Sequence, residues 1–382
     1  MSSKCHLLWG HIAIFPNGEV RPCCRFKMPE PGLSLLNSSF SEARNSAVFR
    51  TAKKTMLSGT LPESCIKCGE EERNGVSSLR QKSNLGRNLD DLTADAIAPL
   101  ESIEWFLGNS CNLRCITCVP ERSSSWNQDA IALSYEPAPL AKMNVDLLEP
   151  YISNLRKIKL IGGEPLLHKE HDQILEMIRA RGVPKETHLV LNSNATIFPS
   201  ARTLELWGGM KRVELGLSID GVGAVNEYVR YPSSWRAIDS NLKKYLALAN
   251  SKENIELYII CTLSALNVTR LSEIYLWWEN FFERHASSQR ISRDIYWNFV
   301  MDPAHFSPLV VPLSLRQAAI TDLKSINPKE GAKLEGRLLK KGNESHLPRF
   351  IGAIRALDAK RGLALAKVLP ELWSTINRQN HI

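Results

Sequence analysis

Glu104-Trp-Phe-Leu-Gly-Asn-Ser-Cys111-Asn-Leu-Arg-Cys115-Ile-Thr-Cys118 is the stretch on which the reading of this chain turns. An apolar run, Ile103–Leu107, reads as a strand and leads through Gly108, Asn109 and Ser110 into cysteines spaced C-x3-C-x2-C. Those turn residues let backbone N–H groups approach sulfur. A structural zinc ion needs four protein ligands, and the stretch supplies only three thiols. Three thiolates on a cubic 4Fe–4S cluster leave one iron open to an outside ligand, and an open iron can do chemistry.

Downstream, apolar strands alternate with amphipathic helices. Strands are expected at Ile103–Leu107, Lys157–Ile161, His188–Asn192, Val213–Ile219, Ile255–Leu263 and Ile295–Val300. Helices fall between them at Asp146–Leu155, Glu170–Arg181, Ala201–Leu206, Trp235–Leu248 and Leu271–Phe282. Such alternation argues parallel βαβ units, an α/β fold, without separating an open sheet from a barrel. In parallel α/β folds the loops at the C-terminal strand ends converge on a ligand, and the cysteine loop leaves its strand at that end. The second strand runs into Leu160-Ile-Gly-Gly-Glu164-Pro-Leu, where Gly162 and Gly163 permit close backbone approach and Glu164 offers a carboxylate. The next two end in Asn192-Ser-Asn194 and Ser218-Ile-Asp220-Gly. Beyond about Pro312 the pattern is helical, with Leu313–Ile326 and Phe350–Asp358 at helical spacing.

These motifs, in this order on successive strand ends, resemble the radical S-adenosylmethionine (radical SAM) enzymes. The resemblance implies a partial barrel of six parallel strands and six helices. It implies that Cys111, Cys115 and Cys118 hold a 4Fe–4S cluster whose open iron takes the amino and carboxylate groups of SAM. The Gly162–Gly163 backbone and Glu164 would meet the SAM ammonium in charge-assisted hydrogen bonds. Asn194 and Ser218, with Asn192 and Asp220 as weaker candidates, would meet its ribose and carboxylate. Arg230, ten residues after Asp220, resembles an arginine directed at that carboxylate, where a planar fork suits bidentate binding; a surface arginine is the competing reading. The implied activity is reductive cleavage of SAM to a 5′-deoxyadenosyl radical that takes a substrate hydrogen atom. An external one-electron reductant of flavodoxin or ferredoxin type would drive it.

Ahead of this core, Pro16-Asn-Gly18 between two short apolar runs signals a hairpin. With Cys5, Cys23, Cys24 and the Cys65-Ile-Lys-Cys68 pair, it resembles the SPASM/twitch modules that hold auxiliary clusters. The resemblance implies one auxiliary 4Fe–4S cluster on Cys5, one of Cys23 and Cys24, Cys65 and Cys68. Four thiolates suit zinc equally well, and spacing alone leaves that open. The expected organisation is an auxiliary module at 1–90, a core at 91–312 and a helical extension at 313–382.

Composition frames this reading. At 382 residues, 43% apolar and 23% charged, the chain matches a soluble globular protein. Nine cysteines in groups argue for metal in a reducing compartment. Cys261, alone in a good strand, reads as a packing residue. No run is long and apolar enough to span a bilayer and no signal-peptide pattern opens the chain, so a cytoplasmic location is expected. The +8 net charge is spread without a basic block, which argues against a nucleic-acid partner. A peptide or small metabolite is the expected substrate, with oxidative modification or epimerisation as the chemistry. The rival readings are a non-catalytic zinc or iron–sulfur protein and a radical SAM enzyme that modifies RNA.

Overall fold

The computed structural model describes residues 3–30, 32–73, 77–96, 98–139 and 144–379. Eight strands form one open, mostly parallel sheet in the order β2-β1-β3-β4-β5-β6-β7-β8. They are β1 His11–Ile14, β2 Val20–Arg21, β3 Ser102–Phe106, β4 Lys157–Ile161, β5 His188–Ser193, β6 Arg212–Ser218, β7 Ile255–Leu263 and β8 Ile291–Phe299. The chain packs as two compact units. One comprises Met1–Asn109, Leu140–Leu191 and Ala201–Val213; the other comprises Ser110–Pro139, Asn192–Ser200 and Glu214–Ile382.

In the first unit the expected hairpin forms: β1 and β2 pair antiparallel around Asn17-Gly18. Gly18 sits at φ +79°, and a Cβ there would strike Ser34 Oγ at 2.4 Å, so the turn requires glycine. The hairpin is no detached appendage. β1 pairs in parallel with β3, Ile12 opposite Ile103 and Ile14 opposite Trp105, so β1 extends the sheet beyond the six expected strands. Phe40 closes edge-on over Trp105 at 6.2 Å, from a helix that Ser39 and Glu42 cap reciprocally. Arg44 leaves that helix to donate to the Trp9 and Ala98 carbonyls, at 2.5 and 2.6 Å. One expected helix differs: Val145–Asn154 winds as a 3-10 helix around Pro150. Proline has no N–H to give an α-helical bond at mid-helix.

His11 is buried at the start of β1, with Nδ1 2.8 Å from Ser102 Oγ. Burial, with Lys159 and Lys157 opposing Glu104, pushes its imidazole down to about 4. An unfolded histidine takes its proton near 6.5, so between 6.5 and 4 the unfolded chain binds a proton that the fold refuses. Stability is therefore lost as pH falls through that window. Urea unfolding should register about 2 kcal/mol less stability at pH 5 than at pH 7 from this residue. His11→Gln should flatten that slope; an unchanged slope would refute the assignment.

In the second unit β7 and β8 run parallel, Ile259 opposite Ile295 and Leu263 opposite Phe299. Helices Trp235–Ser251 and Leu271–His285 bury apolar stripes that include Leu242, Tyr245, Ile274 and Trp278. The helical tail forms as expected, with helices Leu313–Ile326, Pro328–Leu338, Leu347–Arg361 and Pro370–Gln379. Among the described residues no helix is long and apolar enough to cross a membrane.

Candidate functional site

The cysteine loop lies in the second unit and is fixed largely by its own backbone. Ser125 Oγ donates to the Cys111 carbonyl at 2.6 Å, and Trp126 Nε1 donates to the Cys115 carbonyl at 2.7 Å. Arg114 N–H reaches the Tyr231 carbonyl at 2.7 Å and Ile116 N–H the Val229 carbonyl at 2.8 Å. These two bonds stitch the loop to the segment that carries Arg230. Leu113 N–H points at Cys111 Sγ, 3.4 Å away.

None of the three is in a disulfide. Burial pushes Cys115 far above the ordinary thiol range, and the Cys118 and Cys111 charges add to it while Arg230 pulls the other way. Burial likewise lifts Cys118 to about 11, with Cys111 adding. Burial thus keeps these thiols neutral in the absence of a bound cation.

Arg230 is buried beside Cys115, its Nε 2.8 Å from Asp220 Oδ2. Burial disfavours its charge, yet Asp220 and Cys115 outweigh that and raise its pKa. Arg230 is therefore no surface arginine. Asp220 also accepts at Oδ1 from Thr262 N–H at 2.7 Å, so its carboxylate holds Arg230 and β7. Asn194 Nδ2 donates to Asn112 Oδ1 at 2.9 Å, and Asn112, inside the cysteine loop, donates to Thr196 Oγ1 at 2.8 Å. Asn194 thus binds the loop directly.

Asn192 stands differently. Its Oδ1 is buried with no protein hydrogen bond. A Cβ at Gly216 would come within 2.6 Å of that oxygen and 2.5 Å of Ile260, so glycine keeps the space open. Ser218, half-buried, follows Gly216 by two residues and shares its face. Cys261 alternates with Tyr258 and Ile260 and so lies on the opposite face, buried, with Asn267 Nδ2 3.9 Å from its sulfur. That agrees with the packing role expected for it.

A residue of the helical tail completes the loop's support. Arg361, at the end of Leu347–Arg361, places Nε 2.8 Å from Asp129 Oδ2 and donates through Nη2 to the Arg114 carbonyl at 2.8 Å. Its guanidinium lies 5.4 Å from the Trp126 ring and 5.0 Å from the Tyr231 ring. Both side chains of the Arg361–Asp129 pair are at most 1% exposed. Sequence reasoning missed Arg361 and Asp129, because no local pattern links positions 232 residues apart. Asn112 was legible as a polar residue within the cysteine motif.

In the first unit, Gly162 takes φ +102° and a Cβ there would lie 2.6 Å from the Gly108 carbonyl. The Gly-Gly turn is therefore needed for the close approach of the ends of β3 and β4. Glu164 is fully buried, and its Oε1 accepts from Leu166 N–H at 3.3 Å.

The N-terminal thiols form a second group. Cys5 and Cys65 pack with Trp9, Phe26 and Met56, and Cys23 joins the same cluster. Burial raises Cys23 well above its ordinary value, with Cys24, Cys5 and Cys65 adding. Burial lifts Cys65 to about 12, with Cys5 and Cys68 adding and Arg80 opposing. Arg80 is anchored by Glu72 at 2.5 Å and is the cation of this group. Cys24 faces elsewhere: its thiol hydrogen-bonds the Glu104 carboxylate, which also holds Lys159 Nζ at 2.8 Å. The adjacent cysteines that spacing left equivalent are thus distinguished by the fold. Among the described residues, no three His, Cys, Asp or Glu side chains converge as one metal ion requires.

Comparison with known proteins accords with this geometry. Residues 105–260 match the Radical SAM superfamily, and residues 5–69 match SPASM, an iron–sulfur cluster-binding domain. The GTP 3′,8-cyclase of Sulfurovum sp. (strain NBC37-1) is 34% identical over 107 residues, 28% of this chain and 31% of that protein. That of Pelotomaculum thermopropionicum is 27% identical over 136 residues, 35% and 39% of the two chains. The chain thus spans about a third of the length of the curated relatives it matches. Among solved structures, native anSMEcpe with bound AdoMet is 16% identical at a TM-score of 0.44, covering 64% of this chain and 68% of that one. Streptococcus suis SuiB bound to precursor peptide SuiA is 13% identical at a TM-score of 0.36, covering 69% and 60%. These matches give a radical SAM domain preceded by an N-terminal SPASM domain. A radical SAM domain and a SPASM domain imply 4Fe–4S clusters and SAM as cofactors, the equipment of an enzyme.

Proposed function

We propose that Cys111, Cys115 and Cys118 hold the SAM-binding cluster and that the enzyme removes a hydrogen atom from a peptide or small-metabolite substrate. The observation that carries this is the half-buried thiol trio stitched to the Arg230 segment, with Asp220 fixing the guanidinium beside Cys115. When bound, the cluster and SAM supply one-electron cleavage and a carbon radical able to abstract hydrogen. The polypeptide positions and shields. The Gly162–Gly163 turn and Glu164 take the SAM ammonium, and Arg230 supplies positive charge for its carboxylate or for the anionic cluster. The orphan Asn192 oxygen accepts from a ribose hydroxyl, with Ser218 on the same face. Asn194 and Asn112 fix the loop's conformation. Support for the Asn192 assignment is its buried, unanswered acceptor, which would otherwise cost about 1–3 kcal/mol.

In this reading residues 1–90 carry the auxiliary cluster, 91–312 the core and 313–382 its helical support. Cys5, Cys23, Cys65 and Cys68 are the auxiliary ligands, and Cys24 is a hydrogen-bond donor to Glu104. Cys23→Ser should therefore remove about four iron atoms per chain after anaerobic reconstitution, whereas Cys24→Ser keeps them. Iron and sulfide analysis of the two variants decides this, and equal loss in both would refute the assignment.

A peptide substrate accords with the SPASM domain, and the likeness to GTP cyclases favours a small nucleotide or metabolite as the second reading. Anaerobic reconstitution followed by dithionite and SAM tests the activity itself. 5′-Deoxyadenosine should be released, and its absence from a sample with intact clusters would overturn the proposal.

A further inference from the structure

Behind the cysteine loop, in the second unit, lies a cavity of about 280 Å³ lined by Ser134, Tyr135, His305, Arg349 and the small residues Gly352 and Ala353. None of the reading above uses it. Its polar side chains have no hydrogen-bond partner among the described residues. The Tyr135 hydroxyl is buried and makes no hydrogen bond. His305 is 3% exposed; its ring lies 4.3 Å from that of Phe306, and neither ring nitrogen bonds a described residue. Arg349, exposed on the helix Leu347–Arg361, makes no ion pair with a described carboxylate. Buried donors without acceptors are rare, and each calls for an explanation.

The charge around the cavity supplies its sign. No acidic residue lines it. Asp302 and Glu121 act on Tyr135 from outside, and Asp302 and His346 act on His305; at both groups Arg349 acts more strongly than any of these. Burial first, then Arg349 and His346, pushes His305 down to about 4, so its imidazole is neutral at physiological pH and offers one N–H. A guanidinium, a phenol and a neutral imidazole are all donors, and a guanidinium fork fits an oxyanion in two parallel bonds. The volume is well beyond that of one water and admits a phosphoryl or carboxylate group with a few attached atoms.

We propose that this cavity is an anion-binding subsite, in which Tyr135, His305 and Arg349 receive the phosphate or carboxylate group of a small ligand. Tyr135 packs 5.7 Å from Trp126, whose indole bonds the Cys115 carbonyl, so an occupant would press on the residue that supports the loop.

The test titrates inorganic phosphate, and separately acetate, into the reconstituted full-length protein by calorimetry at fixed ionic strength, with chloride as control. Either oxyanion should bind where chloride does not, and the tighter of the two names the ligand's head group. Arg349→Met should weaken binding about tenfold or more, and Tyr135→Phe roughly threefold. The oxyanion should raise the melting temperature of the wild type and leave that of Arg349→Met unmoved. Because the hydroxyl has no protein partner, Tyr135→Phe should melt no lower than the wild type without ligand, which confirms that the variant folds. Heats matched by chloride, equal binding in Arg349→Met, or no binding at all would mean that the cavity holds water alone, and the proposal would fall.

Discussion

Cys115→Ala is expected to abolish 5′-deoxyadenosine formation, by a factor on the order of 10³ or more, and to leave about four iron atoms per chain where the wild type holds about eight. Cys115 is a half-buried thiol on which the charges of Arg230 and of both sister thiols act. On the proposed assignment its removal deprives the cluster of one of its three anchors. Two readouts keep the outcome interpretable. The N-terminal thiols should still yield a 4Fe–4S absorption band, which shows that the chain folds. Anaerobic SAM binding should be lost together with the second cluster. Retention of all the iron with full activity would mean that the loop is structural and the open iron lies elsewhere.

Arg361→Met carries the second large effect. Removing one partner of a buried, hydrogen-bonded pair leaves the other charge stranded, at a cost on the order of 3 kcal/mol. Asp129 keeps one further contact, Arg114 Nη1 at 3.2 Å, which holds the loss to the lower end of what such pairs show. Urea unfolding should register this loss, and Arg361→Met with Asp129→Asn together should recover part of it. A charge-specific effect should accompany it. Arg361 and Arg230 are buried cations whose charges act on Cys115. Taking one away should lower the reduction potential of the cluster by on the order of 50 mV, measured by anaerobic titration. Equal stability of single and double variants, with an unmoved potential, would reduce Arg361 to packing.

Much of this site was legible because its chemistry sits where strands stop. Lys157–Ile161 and Ile255–Leu263 are alternating or near-continuous apolar runs, bounded by turn residues, and the strands have those limits. The motifs follow them within a few residues, so local pattern placed each one. Three features had no local signature. The parallel pairing of β1 with β3 joins residues about ninety positions apart, and hydrogen bonds between backbones carry no residue code. The choice between Cys23 and Cys24 depends on Glu104, a carboxylate inside a strand that reads as apolar. Arg361 looks in sequence like any basic residue at the end of a helix, where cations are ordinary. Its burial against Asp129 exists only in the folded chain.

The parallel seam between β1 and β3 bears on how the protein can be cut. A version shortened to start near Ser102 would strip the neighbour from β3 and leave its row of N–H and C=O groups bare. Such a rim is a template for a second molecule, and Ile103 and Trp105 beside it are apolar. Trimming the N-terminal segment to isolate the core should therefore give sticky, self-associating material even with every core cysteine in place.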